Sequence, residues 1–117
     1  MSHILLVEDN ADMQKLLCEM LEWGEHSVMT GRTGQEALDV LYSTNELPEL
    51  IISDLNMPRL DGIGLLHAVR QNPAWKNIPF VIMSANINDE RLNNEVVRDL
   101  TGVIPKPFNL DDLGSIL

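Results

Sequence analysis

The chain carries short, strongly apolar runs that stop abruptly on polar or acidic residues. Ile4 to Val7 stops at Glu8-Asp9-Asn10, Leu50 to Ser53 runs into Asp54, and Phe80 to Met83 ends at Ser84-Ala85. An unbroken apolar run suits a strand covered on both faces, whereas a strand with one wet face alternates. Between these runs the period becomes helical. Ala11 to Trp23 places Met13, Leu16, Leu17, Met20 and Leu21 on one face, and Gly24 follows as a C-cap. Thr33 to Leu41 reads as a second helix, opened by a capping box of Thr33 and Glu36, with Ala37, Leu38 and Leu41 inward. Ile63 to Gln71 is a third, and Asn88 to Leu100 a polar fourth with a thin stripe of Leu92, Val96 and Leu100. Ser27 to Thr30 and Gly102 to Ile104 are weaker strands, and a short last helix starts near Asp111.

Strand and helix thus alternate about five times without repeat or linker. That pattern predicts an α/β fold: one domain over 1–117, a doubly wound five-stranded parallel sheet with helices on both faces. In such folds sites lie beyond the carboxyl ends of the strands. Eight Lys and Arg against eighteen Asp and Glu give a net charge of −10, which disfavours nonspecific binding to nucleic acid or anionic lipid. Cys18 is the only cysteine, so no intramolecular disulfide or multi-cysteine metal site can form. No apolar run approaches the roughly 18 residues of a membrane span, and Met-Ser-His-Ile lacks the features of a secretory signal. The expected location is the cytoplasm.

The strand ends carry Glu8-Asp9, Asp54 and Ser84, and Lys106 follows the fifth strand. Carboxylates gathered there repel: two unit charges about 5 Å apart cost roughly 3 kcal/mol at an effective dielectric near 20. A hard divalent cation removes that cost, and an all-oxygen donor set suits Mg²⁺ rather than zinc. The Lys106 ammonium and the Ser84 hydroxyl complement the oxygens of a phosphoryl group, which Asp54 could accept as an aspartyl phosphate.

With these residues in place, the chain resembles the receiver domain of bacterial two-component response regulators. The matching segments are Ile-Leu-Leu-Val-Glu-Asp-Asn at 4–10, Gly-Gln-Glu-Ala-Leu at 34–38, Asp-Leu-Asn-Met-Pro at 54–58, Asp-Gly at 61–62, Ile-Pro-Phe-Val-Ile-Met-Ser-Ala at 78–85 and Lys-Pro-Phe at 106–108. The resemblance implies a flavodoxin-like three-layer sandwich. It implies Asp54 as phosphoacceptor, Asp9 as a direct Mg²⁺ ligand, Glu8 as a ligand through water, and Asn56 as a ligand through its backbone carbonyl. It implies that Ser84 and Lys106 contact the phosphoryl group and that Lys106-Pro107 is cis. The donor would be a histidine kinase or a histidine phosphotransfer protein. The output, to an effector or output domain, would pass through the fourth helix, fifth strand and fifth helix. Such a protein is a signalling switch rather than an enzyme, with self-catalysed phosphotransfer and slow autodephosphorylation. Three departures stand out: Val103 at the place of the usual aromatic residue, Pro105 directly before Lys106, and a short last helix containing Gly114.

Plainer roles fit other residues. Asp61-Gly62 reads as a turn and cap; His3, His26 and His67 as surface or packing residues; Cys18 as a small hydrophobe; Trp23, Trp75 and the six methionines as packing. Among rival functions, a haloacid-dehalogenase-like phosphatase needs a second acid two residues after its nucleophile, where this chain has Asn56. A flavin carrier needs a Ser/Thr/Gly loop where Glu8-Asp9-Asn10 would repel the phosphate. The remaining alternative is a phosphorylation-independent interaction module of the same fold.

Overall fold

The computed structural model describes residues 2–114 and 116, so Met1, Ser115 and Leu117 at the ends of the expected domain lie outside it. Along the described residues the elements are β1 (His3–Val7), α1 (Ala11–Trp23), β2 (Ser27–Gly31), α2 (Gly34–Ser43), β3 (Leu50–Asp54), α3 (Gly62–Gln71), β4 (Phe80–Ser84), α4 (Asn94–Arg98), β5 (Gly102–Pro105) and α5 (Leu110–Gly114). The strands form one parallel sheet in the order β2-β1-β3-β4-β5. Chain direction across the sheet reverses between β1 and β3, which opens a crevice beyond their carboxyl ends.

The apolar runs divide between two cores. Leu5, Val7, Ile51, Phe80 and Ile82 face a layer containing Ala37, Leu41, Leu65, Leu66, Val69 and Val96 from α2, α3 and α4. Their neighbours Ile4, Leu6, Leu50, Ile52, Val81 and Met83 face Leu17 and Leu21 of α1 and Leu113 of α5. Both faces of the central strands are therefore dry, as the unbroken runs require.

Register aligns the strand ends. Val7 pairs with Ser53, Asp54 with Met83, and Ser84 with Pro105. The ladder continues one residue further where Glu8 N–H donates to Gly31 O and Lys106 N–H to Ser84 O, each at 3.0 Å. Glu8, Asp54, Ser84 and Lys106 are thus fixed at one edge by backbone bonds.

Several local expectations change. The fourth helix is confined to Asn94–Arg98, because side chains upstream bond the backbone instead: Asn86 Oδ1 accepts from Asn88 N–H, and Asp89 Oδ1 from Arg91 N–H. Such Asx turns compete with helix, and Asn93 then caps the piece that remains. The capping box of α2 is displaced by one residue: Thr33 Oγ1 accepts from Glu36 N–H, but Glu36 Oε1 accepts from Arg32 N–H. Gly24 is the C-cap of α1, yet Glu25 carries the left-handed φ of 68°. A Cβ at 24 would stand 3.0 Å from Leu110 Cδ2, a tight approach to a side chain that can shift. Leu16 and Trp23 are exposed rather than packed, while Trp75 is buried and Cys18 packs against the α1 core.

Asp61 caps α3, its Oδ1 accepting from Gly64 N–H at 2.8 Å. Gly62 lets this helix start directly against β3. A Cβ at Gly62 would stand 2.5 Å from the Asp54 carbonyl oxygen, whereas one at Gly64 would meet only the Leu60 side chain at comparable range. Gly62→Ala should therefore destabilise by about 2–3 kcal/mol, as overpacking against backbone does. Gly64→Ala should cost under about 1 kcal/mol, since Leu60 can rotate away and helix propensity improves. Equal urea midpoints for the two variants would contradict this packing.

Candidate functional site

Each side chain at the sheet edge owes its place to a strand end. Glu8, one residue past β1, is fully buried, and Asp54 at the end of β3 is 3% exposed. Lys106, one residue past β5, reaches back across the edge. Its Nζ donates to Asp54 Oδ2 at 2.7 Å and lies 2.7 Å from Glu8 Oε1. The second contact is an ion pair without hydrogen-bond alignment, since Glu8 Oε1 has no hydrogen-bond partner among the described residues. Glu8 Oε2 accepts from Asn10 N–H at 2.9 Å, and Asp54 Oδ1 accepts from Asn56 N–H at 3.3 Å. The Lys106-Pro107 peptide is cis, as expected.

Asp9 completes the cluster from the exposed side. One oxygen from each of Glu8, Asp9 and Asp54 lies within 4.8 Å of the others. Three carboxylates against one ammonium leave an excess of two negative charges when all are ionised, the charge of a divalent cation. The donors are hard oxygens, so the cluster could hold a metal ion of that kind.

Burial pushes the Glu8 carboxyl above its ordinary pKa; the Lys106 ammonium beside it and the bond from Asn10 oppose the rise, and the Asp54 charge adds to it. Burial alone would lower the Lys106 pKa, but its bond to Asp54, the close Glu8 carboxylate and the charges of both outweigh this and raise it. The ammonium is thus held charged between its partners.

Ser84 is buried beside the cluster, but its hydroxyl is engaged elsewhere. Oγ donates to Asn86 O at 2.8 Å and accepts from Asn86 N–H at 3.1 Å. The expected residues Glu8, Asp9, Asp54, Asn56, Ser84 and Lys106 therefore meet at one edge, with Ser84 turned toward its own loop. Asp61 also lines the cleft while serving as the α3 cap.

Arg91 and Asp89 escaped the sequence reading because Asn88 to Leu100 was expected to be helical. Arg91 Nη2 donates to Asn56 Oδ1 at 2.6 Å, across the mouth of the site. Asp89 grips the same guanidinium, accepting from Nε at 3.1 Å and from Nη2 at 2.9 Å. A density of Asn and Asp incompatible with a long helix was the available signal.

The Arg91 bonds hold the Asp89 carboxyl at about 2, against an ordinary 3.8. A lowered pKa contributes stability that is present above the ordinary value and lost as pH falls through the folded one. Asp89 should accordingly titrate at about 2 by carbon-detected NMR. A midpoint at the ordinary carboxylate value would show that Arg91 is not held.

Comparison with known proteins agrees with this geometry. Residues 4–117 match the family described as response regulator receiver domain. Response regulator Rcp1 of Synechocystis is 32% identical, over 94% of this chain and 80% of its own length. Chemotaxis protein CheY4 of Vibrio cholerae superimposes with a TM-score of 0.85 at 28% identity, covering 98% of this chain and 94% of that one. The Mn²⁺-bound form of response regulator Rcp1 superimposes with a TM-score of 0.78 at 30% identity, covering 99% and 88%. A family match over residues 4–117 and relatives above 30% identity place the chain plainly: it belongs to the response regulator receiver domain family.

Proposed function

We propose that this receiver domain, a single unit over 1–117, accepts a phosphoryl group on Asp54 from a histidine kinase or a histidine phosphotransfer protein. The carrying observation is the Lys106 ammonium lying 2.7 Å from both Glu8 and Asp54, with Asp9 completing the acidic cluster. The donor chemistry fits Mg²⁺, which Glu8, Asp9, Asp54 and the Asn56 backbone carbonyl would hold. The Mn²⁺-bound form of Rcp1 supports a divalent cation in this family. When bound, the cation would neutralise the clustered carboxylates and the charge on the transferring group.

The residues of this chain then have separate tasks. Asp54 attacks phosphorus as the donor P–N bond breaks, and the released electron pair stays on the imidazole, which takes a proton. Lys106, already on Asp54 Oδ2, balances the charge of the new phosphoryl oxygens. Ser84 gives up its two bonds to Asn86 and turns its hydroxyl to a phosphoryl oxygen.

Losing those bonds frees the segment between β4 and α4. With Val103 in place of an aromatic ring on β5, that segment is the route by which the change reaches α4, β5 and α5. The reading is of a switch with self-catalysed transfer and slow autodephosphorylation, acting in the cytoplasm. Among the described residues no helix is long and apolar enough to cross a membrane.

Incubation with acetyl phosphate and Mg²⁺ should add one phosphoryl mass, and Asp54→Asn should abolish the addition. Wild-type labelling of Asp54→Asn would overturn the assignment; no labelling of the folded wild type would favour the phosphorylation-independent module. At about 100 times its Kd, Mg²⁺ should stabilise the wild type against unfolding by roughly 2.7 kcal/mol. Asp9→Ala should need about tenfold more Mg²⁺ for the same gain, because ligand charge tunes affinity. Identical Mg²⁺ titrations of the two proteins, followed by thermal unfolding, would remove Asp9 from the ligand set.

A further inference from the structure

The mouth of the site is a cleft of about 320 Å³ lined by Asp9, Asn56, Met57, Pro58, Asp61 and Arg91. Arg91 is the one basic residue in that lining; the Lys106 ammonium lies outside it, against the buried Glu8 and Asp54 carboxylates. In a chain of net charge −10, a cation at the entrance is the local exception.

The Arg91 guanidinium is fixed along one edge. Its Nε–H and both Nη2 hydrogens are taken by Asp89 and Asn56. Its Nη1 has no protein partner among the described residues, so two N–H donors remain for a ligand. A guanidinium oriented in advance by a carboxylate loses little freedom on binding an anion.

Phosphoryl transfer places the leaving atom opposite the attacking oxygen. Asp54 is buried, and its neighbours Asp9 and Asn56 line the cleft, so a group leaving phosphorus opposite the attacking Asp54 oxygen departs toward that cleft, which Arg91 also lines. We propose that Arg91 is a catalytic residue for small acyl phosphates, its free Nη1 edge binding the carboxylate that departs. This rests on Asp54 as the phosphoacceptor. In the step, a bond forms between an Asp54 oxygen and phosphorus, and the bond from phosphorus to the acyl oxygen breaks. Both electrons stay on that oxygen, which leaves as a carboxylate without needing a proton. Negative charge therefore develops at the mouth. A phosphoramidate releases a neutral amine there instead, and Arg91 gains nothing from it.

The test compares acetyl phosphate with phosphoramidate at one Mg²⁺ concentration, reading the rate of Asp54 labelling by intact mass. In Arg91→Ala the ratio of the acetyl phosphate rate to the phosphoramidate rate should fall about tenfold, the loss of a charge-assisted contact. Arg91→Lys, which keeps the charge but not the fork, should recover part of it. Circular dichroism of each variant checks that the fold is kept. An unchanged ratio overturns the proposal; equal slowing with both donors does so too, because it makes Arg91 only a tie between the β4–α4 segment and Asn56. Failure of the wild type to label with either donor would instead overturn the phosphoacceptor assignment, and the Arg91 role with it.

Discussion

One ammonium lies between two carboxylates that would otherwise share a dry edge unpaired. Lys106 Nζ lies 2.7 Å from both Glu8 and Asp54, and neither carboxylate is more than marginally exposed. Removing either charge type from such a cluster leaves the other uncompensated in low dielectric, which is far costlier than losing an exposed pair. The fold supports this arrangement with backbone bonds. The ladders of β1, β3, β4 and β5 end at one level, and the next residue of two of them is still hydrogen-bonded. Reactivity at this edge depends on the same crowding: a third carboxylate, Asp9, leaves an excess of negative charge that a divalent cation can match.

The sheet was legible because its signal is local. Strands dry on both faces need unbroken apolar runs, and Ile4 to Val7, Leu50 to Ser53 and Phe80 to Met83 supply them at the centre. The weaker run at Ser27 is the edge strand β2, where only Gly31 is fully buried. The clustering of Glu8, Asp9, Asp54 and Lys106 was legible for the same reason, since strand ends are where apolar runs stop.

The segment between β4 and α4 was not legible from hydrophobic spacing. Leu92, Val96 and Leu100 do pack against the α2–α3 core, at helical intervals. Yet only Asn94–Arg98 is helical, because Asn86 and Asp89 bond nearby backbone in competition with the helix and Asn93 caps the piece that remains. Periodicity reports which side chains face inward and says little about the backbone between them. The same misreading concealed Arg91, whose reach to Asn56 depends on the turn at Asp89.

The most direct measurement of the central claim is equilibrium unfolding of the wild type and Lys106→Met, each with and without Mg²⁺. Without the cation, the variant should lose about 3 kcal/mol, as expected when one partner of a buried ion pair is removed. Mg²⁺ should then stabilise the variant more than the wild type, because the added cation takes over the charge that Lys106 balanced. A variant as stable as the wild type without Mg²⁺, gaining no more from it, would contradict the view that opposing charge holds this edge together.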